Sequence, residues 1–153
     1  MGSGGFSLTR MVDISEKKTV RRECIAEGRL RLKVETVQAI REGKTKKGDV
    51  LTASQIAGVQ AAKRTSQLIP LCHQIPLSSV DVQLELEGST VIARTTVIAN
   101  YTTGVEIEAL AGTTIALINV WDMVKYLEKD ENGQYPTTEI LSVRVIRKSK
   151  EED

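Results

Sequence analysis

The chain has 153 residues, of which 41% are apolar and 27% charged, with a net charge of +1, the profile of one ordinary globular domain able to bury a core. That near-neutral balance argues against a general polyanion binder, and Cys24 and Cys72 are too few and too far apart for a disulfide scaffold or a zinc site, so reduced thiols are expected. No apolar run approaches the ~18 residues that cross a bilayer, so the expectation is a cytoplasmic protein with no membrane partner.

Residues 1–10 read as a glycine-rich, flexible lead-in, of the kind left by cloning, with Met11 as an alternative start and a single domain over 11–150. They lack the charged-then-apolar layout of a signal peptide, and Phe6 stands where a myristoylation signal needs Ser or Thr. Over 23–33 the pattern alternates, with Cys24, Ala26, Gly28, Leu30 and Leu32 on one face, which predicts a half-buried strand. Val34, Val37 and Ile40 then fall at helical spacing, and Gly43 marks the stop. A basic loop, 44–48, leads to Asp49 as the N-cap of a helix running to about Thr65. That helix is rich in small residues, Ala53, Ala57, Gly58, Ala61 and Ala62, and suits close approach by another backbone.

Pro70 and Pro76 stop the helix and hold 69–76 extended. Strict alternation over 79–87 predicts a strand, and Gly88-Ser89 a two-residue turn into a second strand over 90–99. A long helix over about 105–129 carries the apolar stripe Ile107, Leu110, Thr114, Leu117, Trp121 and Val124. Asn132-Gly133 turns the chain into a last strand over 140–147. The order strand, helix, helix, strand, strand, helix, strand predicts an α+β fold of ferredoxin-like type, an antiparallel sheet with helices packed on one face.

Several positions can carry chemistry. Lys63-Arg64 closes the second helix and offers a point charge and a planar fork to phosphate oxygens; the simpler alternative is a pair of cations complementing the helix dipole. His73 is the only histidine and sits on backbone stiffened by two prolines, so any imidazole chemistry must use it. Cys72 and His73 are neighbours on extended chain and point opposite ways, which argues against a nucleophile–base pair. Glu106 and Glu108 open the long helix, where the dipole favours them. Being two apart they diverge by about 200°, so one of them must face inward or into a subunit contact. Asp122 and Lys125, three apart, lie side by side on one helix face. On a surface they form a weak ion pair; in a partly dry site they can share a proton and serve as general acid and base.

The segments Lys47-Gly48-Asp49-Val50, Ile56-Ala57-Gly58, Ala61-Ala62-Lys63-Arg64-Thr65, Leu68-Ile69-Pro70-Leu71-Cys72-His73, Thr103-Gly104-Val105-Glu106-Ile107-Glu108-Ala109-Leu110 and Asp122-Met123-Val124-Lys125, taken in order, resemble the cyclic pyranopterin monophosphate synthase family, MoaC. The likeness runs from Met11-Val12-Asp13 to the last strand. It implies a ferredoxin-like subunit and a homo-hexamer, a trimer of dimers, with active sites at subunit interfaces. It also implies a phosphorus–oxygen lyase of molybdenum cofactor biosynthesis that converts 3′,8-cyclo-dihydroguanosine triphosphate to cyclic pyranopterin monophosphate and pyrophosphate. Carried over by position, Asp122 and Lys125 match the catalytic pair. Lys47, Lys63, His73, Glu106 and Glu108 match substrate-site or assisting residues, with Ile107 between the two carboxylates. Leu71-Cys72-His73 matches a substrate-contacting segment, Arg21 stands in the place of a family arginine with Arg22 beside it, and Lys148 matches a phosphate-contacting lysine near the end. A triphosphate calls for several converging cations, which Lys47, Lys63, Arg64, Lys125 and Arg21 supply. No cofactor is required, although Mg²⁺ can accompany the phosphates.

Three other classes compete. A nucleotide-sensing module on the same fold would lack turnover. A purely structural hexamer would tolerate His73→Ala and Glu108→Ala. RNA binding through stacked aromatics is disfavoured because aromatics are 3% of the chain and the strands over 23–33, 79–87 and 90–99 contain none; no nucleic-acid partner is expected.

Overall fold

A computed structural model of the chain describes residues 8–151. The elements are β1 (Val20–Arg31), α1 (Val34–Arg41), α2 (Val50–Lys63), the single turn α3 (Thr65–Leu68), β2 (Ser79–Glu87), β3 (Thr90–Tyr101), α4 (Glu106–Glu128) and β4 (Glu139–Glu151). The strands form one antiparallel sheet in the order β2-β3-β1-β4, with α2 and α4 covering one face, the α+β ferredoxin-like arrangement. Of the expected lead-in, residues 1–7 lie outside the described residues, and 8–10 are exposed and irregular.

β1 alternates as its sequence predicts. Cys24, Ala26 and Leu30 are fully buried under the helices, while Glu27 on the other face bonds Arg94 of β3 at 2.7 Å. The strand starts earlier than the pattern suggests, because Arg21-Arg22 hides the alternation while backbone pairing continues to Val20↔Tyr101. β4 likewise extends to Glu151, paired with Arg21. Gly88 adopts φ +60° in the β2–β3 turn, a conformation that costs a residue with a Cβ and suits glycine.

Asp49 caps α2, its carboxylate accepting from the Thr52 amide at 3.1 Å and the Thr52 hydroxyl at 2.7 Å. α2 stops at Lys63, short of Thr65, and α3 restarts the chain for one turn before Pro70 ends it. The buried side of α4 keeps Leu117 and Val124 of the stripe read from the sequence but not its other four members. It comprises Ala109, Gly112, Thr113, Ala116, Leu117, Val120, Met123 and Val124, whereas Ile107 is 41% exposed. The small residues of its first half face inward because α4 is wedged there between the sheet and α2 at close approach. By length and composition α4 is apolar enough to cross a membrane, contrary to the reading that no segment approaches this; half of its apolar stretch is buried inside the domain.

The α2–α4 crossing is close. A Cβ at Gly58 would lie 3.0 Å from the Gly112 carbonyl oxygen, and one at Gly112 would lie 2.9 Å from the Thr95 methyl carbon. Beside it, Thr113 bonds Thr95 at 2.9 Å and Asn119 bonds Ser54 at 3.1 Å. At the far end of α4, the fully buried Glu128 accepts from Thr36, from Thr138 at 2.7 Å and from the Lys33 amide at 3.1 Å, tying that end to the start of α1. Gly58→Leu, which forces side-chain carbon against Gly112 backbone, is expected to lower the unfolding free energy by about 1–3 kcal/mol, read as a reduced urea midpoint at unchanged slope.

Candidate active site

The basic loop before α2 and the last turns of α4 meet at one end of the helix pair. Tyr126 of α4 fixes the loop by accepting from the Lys46 amide at 2.9 Å, and the Lys46 ammonium stands 4.8 Å from its ring centroid. This aims Lys47 at Asp122, 3.1 Å away, while Lys125, one turn on, reaches the other carboxylate oxygen at 3.2 Å. Asp122 is thus held between two cations. The hydrogen bond from Lys47, then that from Lys125, hold its carboxyl below the ordinary aspartate value. The side chain is 51% exposed in the single chain, where solvent screening leaves such pairs little to add to stability. Stability does not explain this arrangement.

The opposite end has the reverse electrostatics. A cavity of about 350 Å³ is lined by Ile69, Leu71, Cys72, His73, Ile75 and the 103–108 segment, including Glu106, Ile107 and Glu108. Glu108 is the carboxylate that turns inward. It is only 3% exposed, its Oε2 accepts from Cys72 Sγ at 3.7 Å, and its Oε1 has no partner among the described residues. Burial first, and then the neighbouring Glu106 charge, push its carboxyl above the usual glutamate value. The Cys72 thiol is also pushed up, by burial and then by Glu108, so it is a proton donor rather than a thiolate nucleophile. His73 Nε2 meets the Val12 carbonyl at 2.6 Å, so Cys72 and His73 have different partners, as their backbone implies. Glu106 folds back over Gly104, where a Cβ would collide with its Oε1, and it pairs with Lys148 at 3.6 Å.

The other candidates are spread out. Lys63 and Arg64 are exposed at the end of α2, and Lys63 lines a neighbouring depression that shares Ile75 with the His73 cavity. Arg21 points to the helix-free face of the sheet, paired with Glu23 at 3.2 Å and Glu151 at 3.6 Å. The candidates therefore form two groups: Lys47, Asp122 and Lys125 at one end, and Leu71, Cys72, His73, Glu106, Ile107, Glu108 and Lys148 at the other. Sixteen residues of α4 separate Asp122 from Glu106, about 24 Å at ~1.5 Å per residue. No single chain brings these groups around one small molecule.

Known proteins share this sequence over nearly its whole length. A model of the MoaC family matches residues 11–151. The chain belongs to the MoaC family. Its relatives include proteins named probable cyclic pyranopterin monophosphate synthase from Pyrococcus abyssi, 55% identical over 92% of this chain and 89% of that one, from Thermococcus kodakarensis, 53% identical over 94% and 92%, and from Saccharolobus solfataricus, 52% identical over 96% and 99%. In this MoaC chain the sequence reading missed Tyr126, which sets the Lys46-Lys47 loop, and the Val12 carbonyl at His73. An isolated phenol four residues after Asp122 and a backbone oxygen leave no pattern to find.

Glu108 offers a test of the buried end. A folded-state carboxyl raised above its unfolded value of about 4.5 contributes stability that is fully present below that pH and is lost as pH rises through the raised value. Glu108→Gln escapes this loss. Its Tm is expected to match wild type below about pH 4.5 and to exceed it at pH 7 by roughly 2–4 °C, the shift for ~1 kcal/mol in a domain of this size. A constant Tm difference from pH 4 to 8, measured by calorimetry, overturns the assignment of Glu108 as a carboxyl disfavoured in its charged form.

Proposed function

We propose that this chain is a cyclic pyranopterin monophosphate synthase, a phosphorus–oxygen lyase that converts 3′,8-cyclo-dihydroguanosine triphosphate to cyclic pyranopterin monophosphate and pyrophosphate in molybdenum cofactor biosynthesis. The observation that carries it is Asp122 clamped between Lys47 and Lys125 at 3.1 and 3.2 Å, an acid–amine group that the fold does not need for stability. The family membership and the names of the relatives support it.

The reaction opens and rebuilds a ring, then a sugar hydroxyl attacks phosphorus and pyrophosphate leaves. Asp122, kept ionised by its two lysines, is suited to accept a proton, and the Lys125 ammonium to return one. Lys47 and Lys63 are suited to charge that grows on the departing pyrophosphate. At the other end, the Glu108 carboxyl and the Cys72 thiol, both shifted upward mainly by burial, line the cavity wall offered to the ring system. Among the described residues no group of three His, Cys, Asp or Glu side chains is placed to hold a metal. The reading has no resident cofactor, with Mg²⁺ travelling on the substrate phosphates.

Because the two groups sit about 24 Å apart along α4, the complete site on this reading joins the Asp122 end of one subunit to the His73 end of another. The proposed assembly is the family's homo-hexamer, a trimer of dimers, in the cytoplasm, where Cys24 and Cys72 stay free. Lys125→Ala is expected to keep the fold and assembly while lowering pyrophosphate release from the cyclised triphosphate by about 10²–10⁴-fold, the usual share of general acid–base catalysis; near-normal turnover rejects the mechanism. Shared sites have a second signature. Lys125→Ala and His73→Ala proteins, each inactive, are dissociated, mixed in equal amounts and reassembled. They are expected to regain activity in about a quarter of sites, those formed by two intact halves. No recovery places both groups' function within one chain.

A further inference from the structure

The basic loop between α1 and α2 owes its shape to itself but its placement to one side chain. Within it, the Thr45 hydroxyl donates to the Gly48 carbonyl at 2.7 Å, and the Gly48 amide returns to the Thr45 carbonyl at 3.4 Å. A glycine in the left-handed region stands at each end, Gly43 at φ +67° and Gly48 at φ +100°, so each makes a corner that a residue with a Cβ adopts at a cost. Nothing lies within 4 Å of where a Cβ would stand at either corner, so no packing there fixes the direction of the turn. Lys46, Lys47, Gly48 and Asp49 are all exposed, and no buried apolar contact holds them down.

Among the described residues, the hydrogen bonds that tie 45–48 to other elements both end on α4. The Lys46 amide donates to Tyr126 Oη at 2.9 Å, and the Lys47 ammonium donates to Asp122 Oδ2 at 3.1 Å. Tyr126 lies four residues after Asp122, one turn along the same helix face, so adjacent loop residues land on adjacent turns of α4. The two bonds are unequal as anchors. Lys47 reaches Asp122 through a flexible four-carbon stem, and its side chain is 49% exposed. Such a contact does not choose a backbone position, because ordering the stem offsets most of what the ion pair contributes. The Tyr126 oxygen grips the backbone itself, one residue before Lys47, from a ring with only two side-chain torsions to order. The Lys46 ammonium, 4.8 Å from the ring centroid, adds a cation–π contact, but only the phenol oxygen can accept the amide. A phenylalanine keeps the ring contact and loses the grip.

We infer that Tyr126 is a positioning residue for the reaction: its phenol oxygen latches the 45–48 turn onto α4 and so sets Lys47 on Asp122 before substrate arrives. The inference rests on the proposed enzymatic reading only for what Lys47 and Asp122 then do. Groups placed in advance need no reorganisation at the moment of reaction, so the loss of the latch is read in kcat.

Tyr126→Phe in the intact protein tests it. Carbodiimide treatment without substrate joins Lys47 to Asp122 by an amide bond where the two are in contact, and mass spectrometry reads the yield. Loss of one neutral hydrogen bond lowers the placed population about fivefold, and the yield is expected to fall by that factor. With the cyclised triphosphate, kcat is expected to fall about fivefold as well, with KM within about twofold of wild type. The bond is exposed, so the urea midpoint and the state of assembly are expected to stay near wild type; a merely structural role would move them and leave kcat alone. An unchanged cross-linking yield overturns the latch. A reduced yield with unchanged kcat removes Tyr126 from the reaction and overturns its assignment as a positioning residue. A reduced yield in a protein whose wild type shows no turnover supports the latch and sinks the enzymatic reading instead.

Discussion

The close crossing of α2 and α4 decides where every candidate group stands. Gly58 and Gly112 meet backbone to side-chainless backbone, with Thr95 of the sheet filling the remaining gap. Methylene-sized additions there have nowhere to go, since interiors pack as densely as organic crystals. The crossing also fixes the helices end for end. The N-terminus of α2 lies at the C-terminus of α4, which puts the Lys46-Lys47 loop on Tyr126 and Asp122. The C-terminus of α2, α3 and the proline segment are thereby delivered to the N-terminus of α4, where Cys72 meets Glu108.

Two acidic groups on one helix are consequently driven in opposite directions. Asp122 keeps its charge because Lys47 and Lys125 hydrogen-bond it in open solvent. Glu108 disfavours its charge because it is buried, with the Glu106 carboxylate nearby adding to the effect. Neighbouring environments that push pKa values apart are how one protein obtains an acceptor and a donor at the same pH. Burial alone cannot supply both, nor can ion pairing alone.

Much of this was legible in the residues, for local reasons. Asp49 as N-cap, Gly88 as the first turn residue and the inward turn of one of Glu106 and Glu108 follow from short-range geometry, and the structure agrees with each. The strand ends and the buried face of α4 did not follow. α4 is apolar on most of its circumference, so periodicity cannot choose a side; the choice belongs to α2 and the sheet, which take its small residues where they approach most closely. The Arg21-Arg22 pair is similar, since adjacent arginines look interchangeable until a register assigns each to a face. Spacing alone does not show that the two groups of site residues stand apart, although the family resemblance implies sites at subunit interfaces; α4 joins the groups in sequence while its rigid length keeps them separate.

That separation bears on the choice between a complete and a shared site. Asp122 and Lys125 are half in water, a poor medium for proton transfer that must be timed, because water competes for every hydrogen bond and weakens every charge. The helix layer also leaves apolar side chains uncovered, Ile56 on α2, Leu68 and Ile69 after it, and Ile107 and Ile118 on α4, as β4 does with Leu141 and Ile146. The helix-free face of the sheet instead carries Arg94 braced between Glu27 and Glu85, a surface already satisfied in solvent. A second copy laid on the helix layer would cover the apolar residues and dry Asp122 in the same step. On the proposed reading, assembly and activation are one event, and a lone subunit has the parts of the site without the site.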